Sequence, residues 1–206
     1  MERVPREAFV PTALADRVYD DAALPIGHGQ TISQPYIVAL MIEQLELTGT
    51  ERVLEIGAGS GYAAAILDEL AAEVVAVELV AELAERARSS LAATGHERVD
   101  VRTGDGSLGV PGEPPFDAIL VSAATPGLPD RLVAQLAPGG RLVAPVGARD
   151  EQQLVRLDVT PDGVTRTIGP SCRFVPLLGA AGFPSGAADP AVAPATLARP
   201  RWRIRP

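Results

Sequence analysis

The chain of 206 residues fits one core-forming domain with short ends. A net charge of -8 works against binding a phosphate backbone, so no nucleic-acid partner is expected. With no apolar run of membrane-span length, no apolar signal core at the N-terminus and one cysteine, Cys172, the expected setting is the cytoplasm, with neither a membrane partner nor a disulfide framework.

All 18 cationic side chains are Arg, which excludes chemistry through a lysine Schiff base. Two histidines and one cysteine are too few for a Cys/His metal site, and no clustered acidic spacing argues for an oxygen-rich one, so no metal is expected. Hydrophobic residues make up 47% of the chain but aromatics only 4%, so the core must be built from Val, Leu, Ile and Ala, as in a buried parallel sheet flanked by helices.

In chain order, Pro25-Ile26-Gly27-His28-Gly29-Gln30-Thr31-Ile32-Ser33-Gln34-Pro35 stands out first, just upstream of a strand-then-glycine signal. Residues 35–47 open with Pro at a first-turn position and carry apolar residues at helical spacing, which predicts a helix. Then follow a strand at 52–56, a helix at 62–72, a strand at 74–79, a helix at 81–94 and strands at 99–103 and 116–122. A helix at 129–136 and a strand at 141–146 complete an alternation that predicts an α/β fold with a doubly wound, mostly parallel sheet. Runs at 153–159, 164–168 and 173–177, separated by turn residues and without helices between them, predict antiparallel strands at one edge. Residues 179–206 are rich in Ala, Pro and Gly and predict an extended or disordered tail after a domain at 1–178.

Glu55-Ile56-Gly57-Ala58-Gly59-Ser60-Gly61 joins a strand to a helix, the setting in which glycines let backbone approach a nucleotide-type ligand. The spacing is G-x-G-x-G, and Tyr62 stands where a dinucleotide fingerprint has its third glycine. That favours a cofactor without a pyrophosphate, such as S-adenosylmethionine, over a nicotinamide cofactor; a tight turn needing glycine for geometry alone is the plain alternative. Glu78 ends the second strand, where an acid can accept hydrogen bonds from both ribose hydroxyls, although a lone strand-end acid can equally be solvated. Asp105, in Gly104-Asp105-Gly106, ends the third strand, where an adenine contact or an ordinary turn both fit.

Together these stretches resemble the protein-L-isoaspartate (D-aspartate) O-methyltransferase family. The resemblance is carried by residues 24–36, 52–62, 104–106, 115–124, 138–147 and 173–177, and Val4-Pro5-Arg6 with Phe9-Val10 also fits. It covers about residues 4–178, and the Thr31-Ile32-Ser33 segment with its flanks is far more specific than the glycine loop. It departs in the short N-terminal lead, lacking the family's usual opening helix; in Cys172, where a small aliphatic residue is more usual; and in the long tail.

The resemblance implies a Rossmann-like S-adenosylmethionine-dependent methyltransferase that initiates repair of damaged proteins and peptides. Its substrate is the free α-carboxylate of an L-isoaspartyl residue, and the methyl ester then collapses unaided to a succinimide. It implies Ser33 at the substrate carboxylate, with backbone amides near Val175 as further candidates to hold it. The cofactor contacts carry over to Gln30, Thr31 and Ile32, to Glu55, Gly57, Gly59 and Gly61 of the loop, to Glu78, and to Asp105 with Gly106.

Read without the resemblance, Ser33 suits a helix N-cap ahead of Pro35. His28 reads as a loop histidine, because a carboxylate acceptor with a pKa of about 4 needs no general base. His96 reads as a surface residue and Cys172 as a small buried side chain. Arg173 alone reads as a solvated edge-strand residue, whereas the resemblance implies a strand beside the bound peptide, where its cation can help hold a carboxylate. The protein is expected to act as a monomer on isoaspartyl-containing proteins. One alternative is a related enzyme that methylates a specific Asp of a dedicated precursor peptide to form an aspartimide, gripping an acidic partner through Arg201-Trp202-Arg203. A cofactor-binding module that has lost catalysis is the other.

Overall fold

The computed structural model describes residues 2–184. The chain opens with two 3-10 turns, Arg6–Phe9 and Thr12–Arg17, and a hairpin of β1 (Leu24–Gly27) and β2 (Gln30–Ile32). The two residues between these strands, His28 and Gly29, have φ of 54° and 71°. A two-residue hairpin turn of the primed type requires that left-handed pair, and this gives His28 a conformational task.

Helix α1 (Pro35–Glu43) follows with Pro at its start and Gln34 before it, and no side chain caps it. The capping role considered for Ser33 is therefore not taken. The helix stops short of the expected residue 47 because Glu46 turns the chain at φ 46°, and Arg141 takes the carbonyls of Leu45 and Glu46.

The alternation continues through β3 (Arg52–Ile56), α2 (Tyr62–Asp68), β4 (Glu73–Glu78), α3 (Ala81–Ala93), β5 (Asp100–Thr103) and β6 (Phe116–Val121). It ends with α4 (Asp130–Val133), β7 (Leu136–Gly147), β8 (Gln152–Thr160) and β9 (Gly163–Cys172). These strands form one seven-stranded sheet in the order β5-β4-β3-β6-β7-β8-β9, parallel from β5 to β7 and antiparallel from β7 to β9. The mostly parallel sheet with antiparallel edge strands is as the sequence predicts.

Several boundaries move for local reasons. Helix α2 ends at Asp68 and not at residue 72, since the amides of Ala72 and Glu73 turn back to the Glu51 carbonyl. Helix α4 is a single turn because Gln135 is drawn away: its side chain bonds Val110 and Leu108, and its carbonyl receives the Phe116 amide.

The expected strand at 173–177 does not form a ladder. The Phe174 amide bonds the Gln152 side chain, Pro176 has no donor, and only a single bridge pairs Ala124 with Pro176. His96 is buried, not on the surface, with its ring nitrogen 3.1 Å from Asp68, which also pairs with Arg98. Cys172 is buried, as its small side chain predicts, and burial pushes its thiol up to about 12.

Side chains alternate between the two faces of the sheet, so neighbours such as Val53 and Leu54, or Val74 and Val75, enter different cores. One core packs under α1, α2, α3 and the N-terminal turns, and the other under α4 with the 3-10 turn Gly106–Leu108. Among the described residues no helix is long and apolar enough to cross a membrane. Most of the expected tail, including Arg201-Trp202-Arg203, lies outside the described residues; its first part, 179–184, folds back onto the domain.

Candidate active site

The strand order reverses direction between β3 and β6, since β4 and β5 extend one way and β6 and β7 the other. A cleft opens at the carboxyl ends of the strands beside this switch point, where an open α/β sheet leaves room for a ligand. It has two adjoining cavities, a larger and a smaller, both bordered by Thr31, Gly57, Gly59 and Ser122.

The floor is the turn after β3. Gly57, Gly59 and Gly61 have φ of 84°, 56° and 89°, and the amides of Gly57 and Ala58 bond the Val77 carbonyl. A Cβ on Gly59 would stand 3.3 Å from Cδ1 of Ile26, so this glycine lets the β1–β2 hairpin close over the loop. Arg86 of α3 fixes that hairpin by donating to the Ile26 carbonyl at 2.7 Å. The hairpin thus brings Gln30, Thr31, Ile32 and Ser33, distant in sequence from the glycine turn, to its rim.

Gln30, Glu78 and Gly106 border the larger cavity, while Ile32, Ser33 and Glu55 border the smaller. Glu78 is buried and accepts from the Gly59 and Val80 amides at 2.8 and 2.9 Å, one per carboxylate oxygen. Each oxygen keeps a further lone pair for a ligand.

Gly61 and Asp105 line neither cavity. Gly61 precedes α2, where a Cβ would stand 3.3 Å from Ala87 and Leu91. Asp105 accepts from Ser107 with Oδ1 and from the Ala180 amide with Oδ2, at 2.8 Å. Although burial opposes it, these bonds lower its pKa.

Glu55 is the outlier. Its side chain is buried, Oε1 accepts from Ser122 at 2.9 Å, and Oε2 has no hydrogen-bond partner. Burial pushes its pKa up to about 8, against the Ser122 bond and with help from the charge of Glu78. At neutral pH it is mostly protonated, a carboxyl with one oxygen unspent at the cavity wall.

His28 borders neither cavity. Arg173 is half-buried and makes no hydrogen bond or ion pair among the described residues. Of the amides about Val175, those of Phe174 and Leu177 are spent on Gln152 and Ala124. Sequence reasoning missed Ser122, Tyr62 and Phe174 as lining residues, and Leu177 with Leu178 as the wall of the larger cavity. The placement of Ser122 just past β6, at the ligand edge of the sheet, was the available signal for the first. Among the described residues, no group of three or more His, Cys, Asp or Glu side chains is placed to hold a metal ion.

A solved structure described as a protein-L-isoaspartate O-methyltransferase superposes with a TM-score of 0.78 at 31% identity, covering 87% of this chain and 60% of that one. A Plasmodium falciparum protein described by the same activity, solved with S-adenosyl-L-homocysteine, has a TM-score of 0.73 at 24% identity, covering 86% and 87%. Fold and cleft define a Rossmann-like S-adenosylmethionine-dependent methyltransferase. Among curated relatives, the Rhodopseudomonas palustris (strain HaA2) protein-L-isoaspartate O-methyltransferase 1 is 57% identical over 200 residues, covering 96% of this chain and 82% of its own. The Methanoculleus marisnigri protein-L-isoaspartate O-methyltransferase is 55% identical over 185 residues, covering 89% and 83%. The family model for protein-L-isoaspartate (D-aspartate) O-methyltransferase matches residues 1–182, and the chain belongs to that family.

Proposed function

We propose that the chain transfers the methyl group of S-adenosylmethionine to the free α-carboxylate of L-isoaspartyl residues in damaged proteins and peptides, initiating repair. The observation that carries this reading is the placement of Thr31-Ile32-Ser33 beside the glycine turn, where Thr31, Gly57 and Gly59 border both a cavity walled by Glu78 and a second cavity walled by Ser33. The residues fit the cofactor: Gly57 and Gly59 border the cleft without side chains, Glu78 keeps acceptor capacity for a ribose, and the unpartnered Oε2 of Glu55 suits a cationic group. When bound, S-adenosylmethionine supplies an electrophilic methyl group on a cationic sulfur.

The chain's task is then to orient and to exclude water. Gln30, Thr31, Gly57, Glu78 and Gly106 hold the donor side, and Ser33, on the smaller cavity, holds the acceptor carboxylate; Val175 borders the larger cavity and not the smaller. No side chain has to remove a proton, because the acceptor is already ionised at neutral pH. Holding the reacting atoms in line in a site shielded from water can supply several kcal/mol of the barrier reduction. We take the protein to work in the cytoplasm as a monomer. The precursor-peptide alternative leans on Arg201-Trp202-Arg203, outside the described residues, and the relatives' names do not favour it.

Two short peptides differing only in an isoaspartyl or a normal aspartyl linkage, with labelled S-adenosylmethionine, test this reading. Label on the isoaspartyl peptide alone is expected; label on neither, or on the normal peptide, would refute it. Ser33→Ala should lower kcat/KM by about tenfold to a hundredfold, the usual cost of one lost hydrogen bond to a charged group.

A further inference from the structure

Arg6 has the wrong surroundings for a purely structural arginine. It is 1% exposed, in the 3-10 turn that opens the fold, and no carboxylate among the described residues lies within ion-pair distance of it. Its Nε donates to the Val18 carbonyl at 2.8 Å, its Nη2 to the Ser33 carbonyl at 2.9 Å, and its Nη1 makes no hydrogen bond. Its guanidinium carbon lies 4.9 Å from the centroid of the Tyr62 ring, and the Phe9 ring packs tilted against Tyr62 at 5.7 Å between centroids.

Ser33 and Tyr62 are both walls of the smaller cavity, so the guanidinium stands directly behind them. Guanidinium stays charged even when buried, so its donors need acceptors, and here two of them are met by main-chain carbonyls while the Tyr62 ring covers its face. The charge of Asp21 lies near enough to favour the charged form of Arg6 without pairing with it. Asp21 accepts from the Tyr36 amide, and Glu7 is bonded to Tyr19 at the surface. Glu55, the one acid bordering this cavity, is mostly neutral below about pH 8.

We propose that Arg6 is a positioning residue of the acceptor half: through its bond to the Ser33 carbonyl it fixes the main chain that presents Ser33 to the acceptor carboxylate. This rests on the reading of Ser33 as the acceptor side. The bond to the Ser33 carbonyl acts on geometry, because the same peptide unit carries Ser33 toward the cavity and leads into α1.

The test is steady-state methylation of an isoaspartyl peptide by wild type, Arg6→Met and Arg6→Lys, with equilibrium binding of S-adenosylmethionine measured separately. Arg6→Met keeps bulk but loses charge and fork. It should raise the peptide KM tenfold or more and lower kcat, with cofactor affinity within twofold of wild type. Arg6→Lys restores the charge and should fall between the two, at least threefold above wild type in peptide KM, and it alone carries the test if Arg6→Met does not fold. Peptide kinetics equal to wild type, or a loss shared equally with cofactor binding, would overturn the proposal. Failure of the wild type itself to label the isoaspartyl peptide would overturn the functional reading, and the proposal with it.

Discussion

At the scale of single residues, Glu55 makes the sharpest prediction. With its pKa near 8 and one oxygen unpartnered, it is poised to ionise when a cation enters the cavity. The groups facing it are Ser122, which donates to it, and Glu78, whose charge opposes its ionisation. Binding of the cationic cofactor should release a proton, so affinity should rise from pH 6 to pH 8. Calorimetric titration in buffers of different ionisation heat measures that release; it should shrink in Glu55→Gln, and a release equal to wild type would refute the assignment. Glu55 was legible as part of a motif, but its protonation was not. A strand-end acid reads the same in sequence whether solvated or enclosed, and enclosure here comes from Leu120, Ser122 and Phe174, far along the chain.

At the scale of elements, the segment after β9 changes the picture most. Residues 179–184 strap the turn after β5: the Ala180 and Ala181 amides bond Asp105 and Ser107, and the Phe183 amide returns to the Leu177 carbonyl. Leu177 and Leu178, which this strap holds in place, wall the larger cavity. Gly179 is where the strap passes closest, with φ 149° and a would-be Cβ 2.0 Å from Asp105 Oδ1 and 2.6 Å from Ser107 Oγ. Gly179→Ala should therefore displace the strap and weaken cofactor binding about tenfold, ~1.4 kcal/mol, with the melting temperature changed little. Equilibrium dialysis with labelled cofactor checks this; unchanged affinity would show that the strap does not shape the cavity. Composition made this segment look unable to pack, because Ala and Gly carry little apolar surface. Its anchoring comes through backbone amides meeting side chains of another loop, which composition does not encode.

At the scale of the whole molecule, the two rims of the sheet do different work. The amino-terminal rim is tied at Glu51, which accepts from Thr48, Gly49 and Thr50 and lies 3.5 Å from Arg141. Burial alone would raise its pKa, but those hydrogen bonds hold it down at about 2. A folded-state pKa below the unfolded value adds stability that is present above about pH 4.5 and lost as pH falls through about 2. Glu51→Ala should cost ~2 kcal/mol at pH 7, and that difference should vanish in acid, with kcat/KM unchanged wherever the variant is folded. Urea denaturation across pH checks it. Glu55, at the other rim, has the opposite sign: its contribution is present below about pH 4.5 and lost as pH rises through about 8, so Glu55→Gln should gain stability over wild type in alkali.

The sequence by itself determined the alternation of strand and helix, the mostly parallel sheet and the glycine turn, because each is written in short-range periodicity and in the local demands of glycine. It also marked Ser33 and its neighbours, through a segment specific enough to be read without a structure. Only the tertiary structure decided that the hairpin folds over the glycine turn, that Asp105 faces Ser107 and Ala180, that His96 is buried against Asp68, and that 173–177 packs without a ladder. These rest on pairings between residues far apart in sequence, where burial and the satisfaction of each polar group are settled jointly by several elements and by none of them alone.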